Sequence, residues 1–323
     1  MSGSARVITQ ADQAAFIDYH RVVNMRFIDT FIYTFIVIAL AGAAAVFAVS
    51  ACFASDSLID QRLEEEIEVS HSRFALIPHK PTYILPFVFN DKIQQYSSYE
   101  NAQNSDRNDY QQLEMKFQIS FKMPVLIEPA DLPLAVFFAY TQVSYWQAYN
   151  SDQSSPFRET NYEPEVFALW HFDKELGADW KLKLASAGFV HQSNGQREPV
   201  SRSWNRIEGN FILEKEDLVI ALTSWHRLKE DYESDDNPDL LDYYGHGQIN
   251  AVYKVENNTF SLVSRNNLES GFSRGSMQLS WNFPIHKKLH GYVQLFSGYG
   301  NSLIEYNQYT NTIGLGISLT DWL

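Results

Sequence analysis

Leu113-Glu114-Met115-Lys116-Phe117-Gln118-Ile119-Ser120-Phe121 changes from apolar to polar at every step. Successive side chains of an extended chain point to opposite faces, so Leu113, Met115, Phe117, Ile119 and Phe121 form one face and Glu114, Lys116, Gln118 and Ser120 the other. A helix would scatter both sets around its circumference. The period of two predicts a β-strand with apolar surroundings on one side and polar ones on the other.

The same period recurs along the chain. Leu134, Val136, Phe138 and Tyr140 share a face, as do Leu218, Ile220 and Leu222. About twelve strands follow, near residues 82–90, 111–124, 132–147, 162–173, 179–193, 203–214, 216–228, 241–255, 258–267, 271–282, 286–299 and 306–320. Short turns such as Lys215-Glu216 and Asn257-Asn258 alternate with longer polar loops near 149–161, 194–202 and 229–240. Long strands in even number, with short turns at one end and long loops at the other, are what transmembrane barrels show. After residue 53 no apolar stretch is long enough for a spanning helix, and a closed barrel is the other structure that satisfies every backbone group in lipid. The expected fold is therefore all-β, an antiparallel transmembrane β-barrel over residues 81–323 preceded by a cleaved signal segment. Its last strand, with Ile313, Leu315, Ile317 and Leu319 alternating with Gly314, Gly316 and Ser318 before Trp322-Leu323, is similar to terminal strands of outer-membrane barrels.

Thr30 to Phe53 carries no charge, with Arg26 and Asp29 before it and Asp56 after. Its length suits a spanning helix. The small residues Ala41-Gly42-Ala43-Ala44-Ala45 and Val49-Ser50-Ala51 fit an export signal better, and residues 25–53 are read as one. Met25-Arg26 would begin a signal of ordinary length, which makes residues 1–24 an over-long gene start. Val49-Ser50-Ala51-Cys52 fits an ordinary cleavage site and also the pattern at which lipoproteins are acylated. Residues 54–80, with Glu64-Glu65-Glu66 and Glu68, read as a polar lead-in, extended or partly helical, whose charges are solvated.

Composition narrows the function. The net charge is −14, which argues against nucleic acid, since phosphate binding needs a basic surface, and suits a divalent cation. The single cysteine excludes an intrachain disulfide, so stability rests on packing and backbone hydrogen bonds.

One segment carries chemistry: Gly188-Phe189-Val190-His191-Gln192-Ser193-Asn194-Gly195-Gln196. If residues 181–193 are extended, Ala187, Phe189, His191 and Ser193 share one side, and a base neighbours a hydroxyl. Asn194-Gly195 is a turn signal, and Asn205 on the returning strand can lie across from His191. A serine hydroxyl becomes a nucleophile when a base takes its proton, and an imidazole does this best when a third group fixes its tautomer. The amide oxygen of Asn205 can be that group; being neutral, it stabilises an imidazolium less than a carboxylate does. Alone, His-x-Ser is common in half-buried strands.

The longer string is more specific. With Ser201-Arg202-Ser203-Trp204-Asn205-Arg206, it closely resembles the active-site segment of the bacterial outer-membrane phospholipase A family, including the offset from His191 to Asn205. Tyr140-Thr141-Gln142 with Trp146, the run Ser154-Ser155-Pro156-Phe157-Arg158-Glu159-Thr160-Asn161-Tyr162-Glu163-Pro164, Asp235-Asp236-Asn237-Pro238-Asp239, and Ser297-Gly298-Tyr299-Gly300 through Leu303-Ile304-Glu305-Tyr306-Asn307 extend the resemblance from about residue 80 to the C-terminus. The first fifty residues lie outside it.

The resemblance implies calcium-dependent hydrolysis of acyl ester bonds of membrane phospholipids, with phospholipase A1, phospholipase A2 and lysophospholipase activity, in the outer membrane of a Gram-negative bacterium. It implies His191, Ser193 and Asn205 as the catalytic set, Gly195 as a backbone donor, and a site on the outside of the barrel near its outer rim. Ser154, Gln196, Ser201 and Asp236 match calcium positions. Gln196 replaces an arginine of other members, a change of little weight if the ligand is its backbone carbonyl. Ser154 lies on a different strand pair and in the family completes the neighbouring subunit's calcium site, which implies a homodimer when active and a monomer at rest. Gln142 matches an interface position, on the same face as Leu134, Val136 and Phe138. Two other readings compete: a structural or transport barrel that keeps the motif without activity, and a soluble secreted β-protein, which the outward apolar rows disfavour.

Overall fold

The period-two segments form the strands of a closed antiparallel barrel. The computed structural model describes residues 57–70, 75–93, 110–127, 134–231, 235–286 and 289–323. The expected signal segment, gene start and Cys52 lie outside the described residues. Strands are β1 (Ile77–Pro78), β2 (Tyr83–Asn90), β3 (Leu113–Ile127), β4 (Leu134–Trp146), β5 (Phe157–Gly177), β6 (Trp180–Ser193), β7 (Ser203–Lys215), β8 (Leu218–Arg227), β9 (Gly247–Val255), β10 (Asn258–Asn266), β11 (Gly275–His286), β12 (Leu289–Tyr299) and β13 (Tyr309–Ser318). From β2 to β13 each strand pairs antiparallel with its chain neighbours, and β13 returns to β2 with Leu315 opposite Phe87. That last pairing closes a barrel of 12 strands, β1 being a short extension alongside β3. The connections 178–179, 216–217 and 256–257 are tight turns at one end, and the segments 147–156, 194–202, 228–231 and 235–246 lie at the other.

Side-chain parity divides the barrel wall. Ile119, Val166, Phe189, Ile207, Phe211, Ile249, Met277 and Leu315 are exposed on the outer surface, the row that a membrane barrel turns to lipid. The alternate positions face the lumen and are polar: Glu114, Lys116, Ser120, Thr141, Glu165, Arg206 and Gln294 are all buried. Buried charge is tolerated only where it is paired. Arg158 donates to both oxygens of Glu114 at 2.8 Å and lies 3.0 Å from Glu305, a charge contact that is not aligned as a hydrogen bond. Arg206 bridges Glu163 at 3.1 Å and Glu208 at 2.8 Å. The Arg158–Glu114 and Arg206–Glu163 pairs tie non-adjacent strands together through the barrel interior.

One expected strand starts late. Residues 240–244 form a short helix, α2 (Leu240–Tyr244), and β9 begins only at Gly247. Leu240-Leu241 and Tyr243-Tyr244 are adjacent apolar pairs, which cannot alternate faces, and Leu240 and Tyr244 instead pack on Trp204, Trp225, Leu303 and Tyr306. Full burial of a side chain of this size contributes roughly 1.5–3 kcal/mol, so this cluster anchors the long-loop end of the barrel.

The acidic lead-in is partly helical, and one charge of its glutamate run, Glu66, is paired instead of solvated. A helix, α1 (Leu58–Ser70), closes on the short-turn end. Ser57 caps it by accepting from Asp60 N at 3.1 Å, and Glu214 takes the Leu58 amide and the Ser57 hydroxyl. Leu58 and Ile59 pack on Leu184, Val219 and Val252, with Trp322 and Leu323 against them. Glu64 and Glu65 are exposed, but Glu66 is held by Lys122 at 2.8 Å and Arg62 at 2.9 Å. Burial disfavours the Glu66 charge; Lys122 and Arg62 outweigh it and hold the carboxyl below the usual range.

Candidate active site

His191 and Asn205 are direct cross-strand partners of β6 and β7, and Ser193 stands opposite Ser203 in the same register. Parity decides which way they point. Val190, Gln192, Trp204 and Arg206 line a cavity inside the lumen, so the intervening His191, Ser193 and Asn205 project from the outer surface. They share it with exposed Phe189 and Ile207. The interior cavity is therefore on the wrong side of the wall for their chemistry, and a molecule reaching them comes along the lipid-facing surface.

The ring Nδ1 of His191 lies 2.9 Å from Asn205 Oδ1. An amide oxygen can only accept, so Nδ1 carries the proton and Nε2 is left with a lone pair. Ser193 follows two residues on along the same face. The turn after it is built on Asn194, whose Oδ1 accepts from Gln196 N at 3.2 Å and Arg202 N at 3.0 Å while its Nδ2 donates to Val200 O at 2.8 Å. Gly195 sits at φ +64°, and a Cβ there would meet the Tyr162 ring at 3.0 Å. Both features favour glycine at this exposed position.

Of the residues expected to hold a metal, the structure brings two together. Ser201 Oγ donates to Asp236 Oδ2 at 2.5 Å. Gln196 is exposed on the same loop as Ser201. Ser154, at φ 58° and exposed, lies on the separate loop between β4 and β5. A carboxylate, hydroxyls and loop carbonyls are the oxygen donors that a hard cation takes, so the set fits calcium, although no cluster of three or more His, Cys, Asp or Glu suited to a metal exists among the described residues.

The loop after β8 delivers Asp236. Arg227 pairs with Asp235 at 2.7 Å and donates to Asn237 O at 2.9 Å, and Asn237 Oδ1 accepts from Ser203 N at 3.0 Å. Further strings singled out in the sequence knit the same end: Leu303 N donates to Asn161 Oδ1, and Tyr306 OH to Asp239. A second carboxylate went unnoticed in the sequence. Glu230 Oε1 accepts from Asn205 Nδ2 at 3.0 Å, and no residue pattern announces it because its approach depends on the path of the loop. Gln142 is outward-facing as expected, and its amide is partly met within the chain by Tyr140 OH at 3.0 Å and Ser144 Oγ at 3.1 Å.

The sequence model of the phospholipase A1 family matches residues 59–319. The chain belongs to the phospholipase A1 family. The phospholipase A1 of Escherichia coli K12 is 34% identical over 82% of this chain and 87% of its own length. A relative from Neisseria meningitidis serogroup B is 36% identical over 75% of this chain, and the match spans 65% of that protein. Among solved structures, outer membrane phospholipase A from Escherichia coli superposes with a TM-score of 0.70 at 33% identity, covering 77% of this chain and all of that one. The calcium-bound dimer of the Salmonella typhi outer membrane phospholipase gives 0.72 at 31% identity, covering 80% and 96%. Family and fold agree with the expected resemblance. This phospholipase A1 family member is an outer-membrane β-barrel of the Gram-negative type, so the outward row of apolar side chains faces lipid.

Proposed function

We propose that the protein hydrolyses acyl ester bonds of membrane phospholipids at Ser193, with phospholipase A1, A2 and lysophospholipase activity. The observation that carries this reading is the 2.9 Å contact between His191 Nδ1 and Asn205 Oδ1 on the outer surface, with Ser193 on the same face. His191 Nε2 takes the Ser193 proton as Oγ attacks the ester carbonyl. The backbone amide at Gly195 donates to the oxyanion, and the leaving lysophospholipid oxygen takes the proton back from His191. Water then repeats the sequence on acyl-Ser193 and releases a fatty acid. His191, Asn205 and Ser193 lie on the lipid-facing side of the wall, so the ester comes from the membrane.

Ser201, Asp236 and the carbonyl of Gln196 would hold calcium, and the ion would supply positive charge that stabilises the oxyanion. Ser154 would complete the shell of a neighbouring subunit, which would make the dimer the active form and the monomer the resting one. The outward Gln142 gives that dimer a polar contact at lipid depth, where an amide gains from any partner it finds. The test is phospholipid hydrolysis in detergent with calcium and with chelator: release of fatty acid that needs both calcium and Ser193 is expected, and release by Ser193→Ala overturns the reading.

A further inference from the structure

Asn205 is not the end of its hydrogen-bonded row. Its Oδ1 faces His191 at 2.9 Å, and its Nδ2 donates to Glu230 Oε1 at 3.0 Å. Half a turn of the amide would exchange those two atoms, and only partners of different kinds forbid it. A carboxylate offers acceptors alone, so the NH₂ group must face Glu230 and the oxygen must face the imidazole. That oxygen in turn makes Nδ1 the donor and Nε2 the base. The tautomer of His191 is thus fixed two links away.

The carboxylate is delivered, not incidental. Leu228 N donates to Asn205 O at 2.8 Å, and the Arg227 contacts to Asp235 and Asn237 close the neck of the loop that carries residue 230. The same loop brings Asp236 to Ser201. A neutral amide stabilises an imidazolium weakly, but an amide whose N–H is bound to a carboxylate is polarised toward its oxygen. Building on the Ser193 reading above, we propose that Glu230 is a positioning residue for the His191–Asn205 pair: it locks the Asn205 amide with its oxygen toward the ring and lends that neutral orienter part of a carboxylate's effect.

The experiment is steady-state hydrolysis by the full chain in detergent, at saturating calcium and across a calcium titration, with heat-modifiable gel migration as the check on folding and Ser193→Ala run in parallel. Glu230→Ala is expected to lower kcat roughly tenfold with KM unchanged, because orientation acts on the reacting complex and not on lipid binding. Glu230→Gln keeps an oxygen toward the amide and loses only the charge, so its loss is smaller, about threefold. The informative pair follows. Asn205→Asp sets two carboxylates where a donor met an acceptor, and kcat falls about a hundredfold. Combining it with Glu230→Gln restores a donor facing an acceptor in the reversed sense, and kcat rises at least about tenfold above Asn205→Asp alone. A double variant whose loss is the product of the two single losses overturns the proposal. So does an Asn205→Asp variant as active as wild type, or a Glu230→Ala whose sole effect is a higher calcium requirement, which would make Glu230 a metal ligand. Hydrolysis by Ser193→Ala would instead sink the parent reading, and the two failures cannot be confused.

Discussion

Glu66 of α1 and Lys122 of β3 meet at 2.8 Å at the short-turn end of the barrel, where Arg62 also reaches the carbonyl of Trp322. One helix thus joins the barrel wall to the last residues of the chain.

Acid should release that helix before it harms the barrel. The folded Glu66 carboxyl lies below its ordinary 4.5, chiefly because Lys122 and Arg62 outweigh its burial. A depressed carboxyl stabilises the docked state above its unfolded value, and this contribution is lost as pH falls through the folded value. Hydrogen exchange across residues 58–70 should therefore accelerate below about pH 4.5 while strand amides stay protected, and Glu66→Gln should weaken docking at neutral pH. Unchanged protection of α1 down to about pH 3 would show that the pair contributes nothing.

Loss of the nucleophile should separate chemistry from folding. Ser193→Ala removes one outward hydroxyl and no core volume, so it should cut kcat by at least about a thousandfold with an unaltered unfolding midpoint. Asn205→Ala keeps nucleophile and base and should cost less, about tenfold to a hundredfold. Retention of even about a tenth of wild-type turnover by Ser193→Ala would remove that residue from its role.

Arg158→Met should damage the barrel itself. It leaves Glu114 and Glu305 buried without their shared cation, a change that typically costs about 3–5 kcal/mol. Urea unfolding in detergent should show a clearly lower midpoint. A midpoint within experimental error of wild type would mean that water or a second cation takes the place of Arg158.

Association and calcium should move together. Ser154→Ala should weaken calcium binding and reduce the cross-linked dimer by similar factors, because coupling between two binding events is reciprocal. If the dimer fraction is the same with calcium and with chelator while activity still follows calcium, the metal acts within one subunit.

The barrel was readable because its signal is local. Period two at Leu113–Phe121 or Leu134–Tyr140 states both the strand and the direction of each side chain, and the same count puts His191 and Ser193 on one face, while the register that sets Asn205 opposite His191 comes from the structure. Where apolar residues come in pairs, as at Leu240-Leu241, the count has nothing to work on, and a helix was missed. The acidic run of α1 looked solvated because Lys122 is remote in sequence from Glu66, the charge it meets. Glu230 was hidden for a similar reason: a loop residue acquires meaning only once Arg227 and Asp235 have closed the neck beneath it. Ser201 and Asp236 were named through family resemblance, and their own surroundings in the sequence offered no independent signal.

His191 and Ser193 occupy alternate positions of β6, with Asn205 at the matching parity of β7. A one-codon insertion or deletion within β6, on the barrel side of His191, would rotate that pair from the outer wall to the lumen while leaving a sheet that could still close. In these two strands residues can therefore be gained or lost only in twos, unless the odd one is absorbed in a bulge. Heredity of the active site here is written partly as arithmetic, and a frame-preserving indel of a single residue, harmless in most surface segments, would be selected against as severely as loss of the serine.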